Sequence, residues 1–234
     1  MEYKIVSHAE WVEARQRLLA KERELTHRRD ALARERRELP WERVEKRYVF
    51  EGPAGKETLA ELFGPHSQLI VYHFMYGPDW GEPCKSCSFW ADNFERIDVH
   101  LAHRDVSFVA VSRAEYPKLE AQQRRFGWTF KWVSSFDSDF NYDFDVSFRP
   151  ADLAKGPVVS SVRTEPVTID EQVGVSVFAK DPSGAVFHTY STYNRGVDLL
   201  NGAYQYLDLA PKGRDEDGLP YTMAWLRHRD RYED

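Results

Sequence analysis

Cys84 and Cys87 are the only cysteines in 234 residues, and they stand three apart in the stretch GPDWGEPCKSCSFWADNF, residues 77–94. Two thiols at that spacing can form a redox couple or half of a metal site, or can be incidental to a scaffold. A disulfide closing so small a loop adds only roughly 2 kcal/mol of loop entropy, against about 4.7 for a hundred-residue loop. It is a poor staple and a good switch. A thiol at a helix N-terminus faces unpaired N–H groups and the positive end of the helix dipole, both of which favour thiolate. Cys84 takes that place, with the cation of Lys85 beside it. Cys87 follows one turn in and less exposed. Cys84 is thus the expected nucleophile, and Cys87 the thiol that resolves its mixed disulfide.

The metal alternative has fewer ligands to draw on. A four-cysteine zinc site needs a second pair, and the chain has no further cysteine. Soft Cu(I) suits two thiolates plus an imidazole, as in copper-delivery proteins. His73, on the run preceding the loop, is the histidine that could point at Cys84 and Cys87. His100 and His103 fall at the far end of the following helix.

Other residues around the pair admit two readings each. Trp80 and Trp90 are expected to cover the loop and pack the core, or else to touch substrate. Asp79 and Glu82 could accept a proton from Cys87 if buried, and would oppose Lys85 if exposed. Tyr76 could donate to a bound oxygen, or its hydroxyl could serve packing alone.

The elements that must position these residues are legible in the patterning. The apolar run SQLIVYHF (67–74), bounded by Gly64-Pro65 and Gly77-Pro78, predicts a strand buried on both faces. After the loop, Trp90, Phe94, Ile97 and Leu101 share one face of a predicted helix. VSFVAVS is a second buried strand, EYPKLEAQQRRFG a second helix, and FKWVSSF a third strand. Residues 139–172 are a long connection. GVSVFAKDPSGAVFHTYSTY predicts a hairpin turning at Asp181-Pro182-Ser183-Gly184. A last helix carries Val197, Leu200, Tyr204 and Leu207 on one face. Upstream, RYVFEGPAGKETLAELFG predicts a strand, a turn and a short helix.

The first forty residues differ from the rest. Ser7 and Glu10 form a capping box that starts a helix, and Pro40 stops it. Trp11, Leu18, Leu25, Leu32 and Leu39 recur every seventh residue. Their companions Ala14, Lys21, Arg28 and Glu35 do not complete a heptad seam. A helix over 8–39 is about 48 Å long, so its stripe is expected to lie on its own domain or reach a second subunit, with a homodimer the simplest arrangement.

Composition narrows the function. A net charge of −6, from 32 basic and 38 acidic residues, gives no reason to expect nucleic-acid binding. No apolar run approaches the ~18 residues of a membrane span. The charged N-terminus MEYKIVSHAEW lacks a signal core, so a cytoplasmic location is expected, where a static disulfide is disfavoured.

The strand and loop resemble the thioredoxin-like superfamily. More specifically, YHFMYGPDWGEPCKSCSFW (72–90), the Arg/Glu-rich upstream helix, FAKDPSGAVFHTYSTYNRG (178–196) and DLAPKGRDE (208–216) resemble the bacterial DUF899 family of predicted dithiol-disulfide oxidoreductases, over nearly the whole chain. The resemblance implies an α/β thioredoxin-like fold, with a central mixed sheet flanked by helices. It divides the chain into a helical extension (1–47), the thioredoxin-like domain (48–210) and a tail (211–234). It also implies a disulfide substrate, a cellular thiol reductant and no bound cofactor. Tyr76, Asp79 and Cys84 keep the spacing of a peroxiredoxin loop, which marks Cys84 as the attacking thiol. Gly81 stands where peroxiredoxins have a threonine hydroxyl, and the run 171–181 lacks their arginine. Weak peroxidase activity is therefore the most that is expected. Val173 or Gly174 stands where thioredoxins place a proline facing the dithiol.

Overall fold

The computed structural model describes residues 4–160, 162 and 166–233, and the chain divides into two units, Met1–Pro40 and Trp41–Asp234. The first is built on one helix, α1 (His8–Glu38). The Ser7 hydroxyl accepts the Glu10 N–H at 3.3 Å, and the Glu10 carboxylate accepts the Ser7 N–H at 2.9 Å. That reciprocal pair satisfies two otherwise orphaned donors. The five apolar residues at seven-residue steps are all exposed, from 44% at Leu39 to 57% at Leu25.

The second unit is organised by one mixed sheet of eight strands: β1 (Glu42–Arg43), β2 (Val49–Gly52), β3 (Gly55–Thr58), β4 (Gln68–His73), β5 (Val106–Ser112), β6 (Lys131–Ser134), β7 (Gly174–Lys180) and β8 (Val186–Tyr193). Their order is β1-β8-β7-β4-β5-β6-β2-β3. Strand β4 runs parallel to β5, and β5 to β6, whereas β7 and β8 form an antiparallel hairpin added to β4. The strand that leads into the dithiol loop is thus central, with a parallel neighbour on one side and the hairpin on the other. This is the thioredoxin-like arrangement. The hairpin turn forms where expected: the Asp181 carboxylate accepts the N–H groups of Ser183 and Ala185, and Gly184 takes φ 86°.

Helices cover the sheet: α2 (Leu59–Leu62), α3 (Lys85–Phe94), α4 (Asp98–Ala102), α5 (Tyr116–Phe126), α6 (Phe140–Asp143), α7 (Pro150–Leu153) and α8 (Gly202–Leu209). Strand β4 is buried on both faces, which explains its unbroken apolar run. Its alternation sends Tyr72 and the following Phe74 into a cluster with Cys87, Trp90, Phe94, Trp128 and Trp132. Leu69 and Val71 enter a second cluster on the other face with Phe63, Phe140, Phe144 and Phe178.

Two helix expectations need correction. The helix after the cysteine loop is two pieces, α3 and α4, because Arg96 turns to φ 67° and the Glu95 carboxylate leaves the helix to accept the Thr129 N–H at 2.9 Å. Ile97 and Leu101 still pack on the same core. The closing helix also divides, into a 3-10 turn over Asn194–Leu200 and α8, because the Asn201 side chain accepts the Tyr204 N–H and caps a new start. Within 139–172, the short α6 and α7 and the bridges Ser147–Glu171 and Val158–Val167 give the long connection some structure. Among the described residues, no helix is long and apolar enough to cross a membrane.

Candidate active site

The chain leaves β4 at His73 and returns at α3. Its path is fixed by backbone bonds: Phe74 N–H donates to Val111 O, Ala114 N–H to Tyr76 O, and Cys84 N–H to Met75 O at 3.0 Å. The last of these sets Cys84 as the N-cap of α3. Met75 also donates its own N–H to the Cys87 sulfur at 3.4 Å. One residue's backbone therefore holds both cysteines.

The two thiols are free and differ sharply in environment. Cys84 is partly exposed; Cys87 is 2% exposed, inside the aromatic cluster. The Cys84 thiol is driven down to about 6, first by a hydrogen bond from the Cys87 thiol and then by the N–H groups of Cys87 and Ser86 and the Ser86 hydroxyl, against the opposing effect of burial. Those N–H groups belong to the first turn of α3, whose dipole favours an anion. The main contributions come from the helix end and the partner thiol rather than from Lys85. Burial pushes the Cys87 thiol well up, reinforced by Cys84.

Cys84 and Cys87 both line a cleft of about 330 Å³. Its walls are mostly apolar, from Tyr72, Met75, Trp90, Val173, Val197 and Met223. Arg195 and Asp198 stand at its rim and pair at 2.7 Å. Val173 is among the residues facing the dithiol, at one of the two positions aligned with the thioredoxin proline.

The structure brings together some of the residues singled out and separates others. Trp90 is buried, and its indole N–H donates to Val197 O at 3.0 Å, so it packs the core and also walls the cleft. Trp80 folds back over Gly77, where a Cβ would meet its indole nitrogen at 2.9 Å, so the glycine makes room for the ring. Tyr76 is buried, but its hydroxyl turns to Gln122 on α5 and it does not line the cleft. Asp79 is exposed and Lys85 partly so.

Glu82 is unsuited to take a proton from Cys87. Burial alone would raise its carboxyl, but hydrogen bonds from Arg231 and Arg125 win and lower it. Arg125 on α5 reaches it at 2.9 Å and also grips Asp230 at 2.7 Å. Residues 228–231, from the segment read as a tail, thus strap the loop directly ahead of Cys84.

His73 contradicts the metal alternative. The period of two along β4 places it on the face opposite Tyr72 and the cysteines. There it stacks on Phe140, with ring centroids 5.5 Å apart, and its Nε2 lies 2.8 Å from the Ser176 hydroxyl. Ser176 continues to Ser191 at 2.8 Å, and Ser191 to His188 at 2.7 Å. The imidazole belongs to that polar chain and cannot join Cys84 and Cys87 around an ion. Among the described residues, no three His, Cys, Asp or Glu side chains converge on a metal site.

Sequence reasoning missed Tyr72, the Arg195–Asp198 rim and the strap. Tyr72 sits inside an apolar run, where its ring reads as core and its hydroxyl gives the sole hint of a site.

The sequence profile of a family described as "Bacterial protein of unknown function (DUF899)" matches residues 1–232. No curated protein matches the chain. Among solved structures, peroxiredoxin Q from Xanthomonas campestris is similar with a TM-score of 0.45 and 15% identity, over 68% of this chain and 90% of that one. Peroxidoxin BcpB from Mycobacterium tuberculosis gives 0.44 and 11%, over 72% and 97%. The mitochondrial 2-cys peroxiredoxin from Plasmodium falciparum gives 0.42 and 12%, over 72% and 94%.

Proposed function

The chain belongs to the DUF899 family, and from that premise we propose that it is a thiol–disulfide oxidoreductase working through Cys84 and Cys87. The observation that carries this reading is the inequality of the pair: an acidified thiol at a helix end facing a cleft, hydrogen-bonded by a second thiol sealed in the core. The Cys84 thiolate attacks one sulfur of a substrate disulfide RSSR, forming Cys84–S–S–R and releasing RS⁻. Cys87 then attacks the Cys84 sulfur, closing the Cys84–Cys87 disulfide and releasing the second RS⁻, which takes up the Cys87 proton. Two electrons pass from protein to substrate, and a cellular thiol reductant restores the dithiol. The reaction calls for no bound cofactor. A reducing cytoplasm is the compartment that suits such a cycle, and a homodimer through the exposed stripe of α1 is its proposed assembly.

Thiol titration of the purified protein tests the reading. Two thiols that vanish on mild oxidation and return on reduction support it. Cys87→Ser is expected to trap a mixed disulfide with a small thiol, and Cys84→Ser to trap none. Thiols that never pair, in protein that is fully folded, overturn it.

A further inference from the structure

The Tyr72 hydroxyl is shut off from water and meets no hydrogen-bond partner of good geometry among the described residues. A buried donor left in that state is unfavourable, so its placement calls for a reason. Its surroundings supply one. Tyr72 lines the same cleft as both cysteines. Its ring is held by Phe94 at 4.9 Å and Phe74 at 6.1 Å between centroids, which fixes where the hydroxyl points. The sulfur of Cys87 is close enough that the phenol makes that thiol more acidic, and the sulfur in turn makes the phenol less acidic.

We propose that Tyr72 is a hydrogen-bond donor for the resolving sulfur, supplying with the Met75 N–H a two-donor hole for the Cys87 thiolate. This rests on the redox reading above. In the resting dithiol the Cys87 proton points to Cys84, and the phenol lies beside the Cys87 sulfur without a well-formed hydrogen bond. When Cys84 is tied up in Cys84–S–S–R, Cys87 must shed its proton in apolar surroundings to attack. The charge that then develops on its sulfur meets the Met75 N–H, which already donates to it, and the Tyr72 O–H beside it. Donors in place before charge develops need no reorganisation when it does. The attack forms the Cys84–Cys87 bond, breaks the S–S bond between Cys84 and the substrate sulfur, and leaves RSH once the Cys87 proton reaches the departing thiolate. The other titratable groups facing the sulfur are Cys84 on its own helix and, across the cleft, Asp198 and Arg195, which pair with each other. None of these can take over the role of the phenol.

An aromatic disulfide, 5,5′-dithiobis(2-nitrobenzoate), separates the two steps, because each releases one coloured thiolate. Cys84 attack gives the first equivalent and Cys87 resolution the second. Tyr72→Phe, which keeps the ring, should leave the first phase unchanged and slow the second by about tenfold to a hundredfold, the effect of losing one hydrogen bond to a charged group. The pH midpoint of the second phase should rise. 3-Fluorotyrosine placed at position 72 alone keeps shape and hydroxyl with a more acidic donor, and should lower that midpoint. A second phase unchanged in rate and midpoint in both variants overturns the role of Tyr72. Absence of any fast first phase in the unaltered protein overturns the redox reading instead, so the two failures are distinct.

Discussion

The imidazole of His228 donates from Nε2 to the carbonyl of Pro83 at 3.1 Å, tying a residue near the end of the chain to the one that precedes Cys84. His228 is buried and packs on Phe126, and its neighbours Asp230 and Arg231 lock to Arg125 and Glu82. The strap therefore supports the loop that sets Cys84 as a helix cap. His228→Ala is expected to cost about 1–3 kcal/mol, the range for a lost buried hydrogen bond and contact. The urea midpoint checks this. A midpoint equal to that of the unaltered protein would show that the strap does not bear on the fold.

The acidity of Cys84 can be read from its chemistry. Labelling by iodoacetamide should rise with pH through a midpoint near 6. Cys87→Ala removes the largest contribution, so the midpoint should move up. Linkage gives a second readout. A thiol whose folded pKa lies below its unfolded value adds stability that is complete above the unfolded value and is lost as pH falls through the folded one. Cys84 should thus make the dithiol form more stable as pH rises from about 6 toward 9. The raised Cys87 acts with the opposite sign, only above its ordinary value. The disulfide form titrates neither group, so the difference between the two forms isolates the effect. A labelling profile centred near the usual thiol value would contradict the site geometry.

The parts of the fold legible in the sequence are those that rest on local pattern. Strand β4 announces itself by an apolar run because both of its faces are buried, and the Asp181–Gly184 turn by residues that suit only a turn. The capping box from Ser7 to Glu10 is likewise local, four residues long. Most of what stayed hidden depends on contacts distant in sequence. Period two says that His73 and Tyr72 face opposite ways, but not which of them faces α3. The strap joins Glu82 to Arg231 by charge, and charge in a stretch rich in Gly, Pro and Asp has no period to betray it. The break at Arg96 is decided by a partner, Thr129, that a helical wheel does not contain, whereas the break at Asn201 is a local N-cap on Tyr204 that the apolar face of the predicted helix masked.

His73 offers a clean separation of the redox and metal readings. His73→Ala removes a buried ring stacked on Phe140 and takes one of its partners from the Ser176 hydroxyl, which keeps Ser191. It should cost about 2–4 kcal/mol, combining cavity and lost hydrogen bond, and leave the labelling rate of Cys84 unchanged. Copper titration of the reduced protein, with and without this change, completes the test. A stoichiometric Cu(I) site lost in His73→Ala would restore the imidazole as a ligand.

Peroxide should be a poor substrate. Gly81 is exposed and supplies no hydroxyl where a threonine would stand, and the cationic Arg195 at the cleft rim is engaged by Asp198. Without donors aimed at the peroxide oxygens, the barrier to their transfer is not lowered. Stopped-flow oxidation of the dithiol by hydrogen peroxide should run below the ~10⁴ M⁻¹s⁻¹ that marks the lower end of evolved enzymes. A faster reaction would class the protein functionally with the peroxidases.

The stripe on α1 should join two copies. Trp11, Leu18, Leu25, Leu32 and Leu39 are exposed along a helix about 46 Å long by its 31 residues. Exposed apolar residues in such a row are characteristic of an interaction face. A strict seven-residue step drifts ~20° per repeat on a straight helix, so partners must wind slightly to stay in contact. The companion positions Lys21, Arg28 and Glu35 are charged, which limits the apolar area and points to a weak, concentration-dependent pair. Light scattering over a range of micromolar concentrations should show a dimer that falls to a monomer on dilution. Leu18→Glu combined with Leu25→Glu should hold it monomeric with the thiol chemistry intact. A protein that is monomeric throughout that range would remove the helix from assembly.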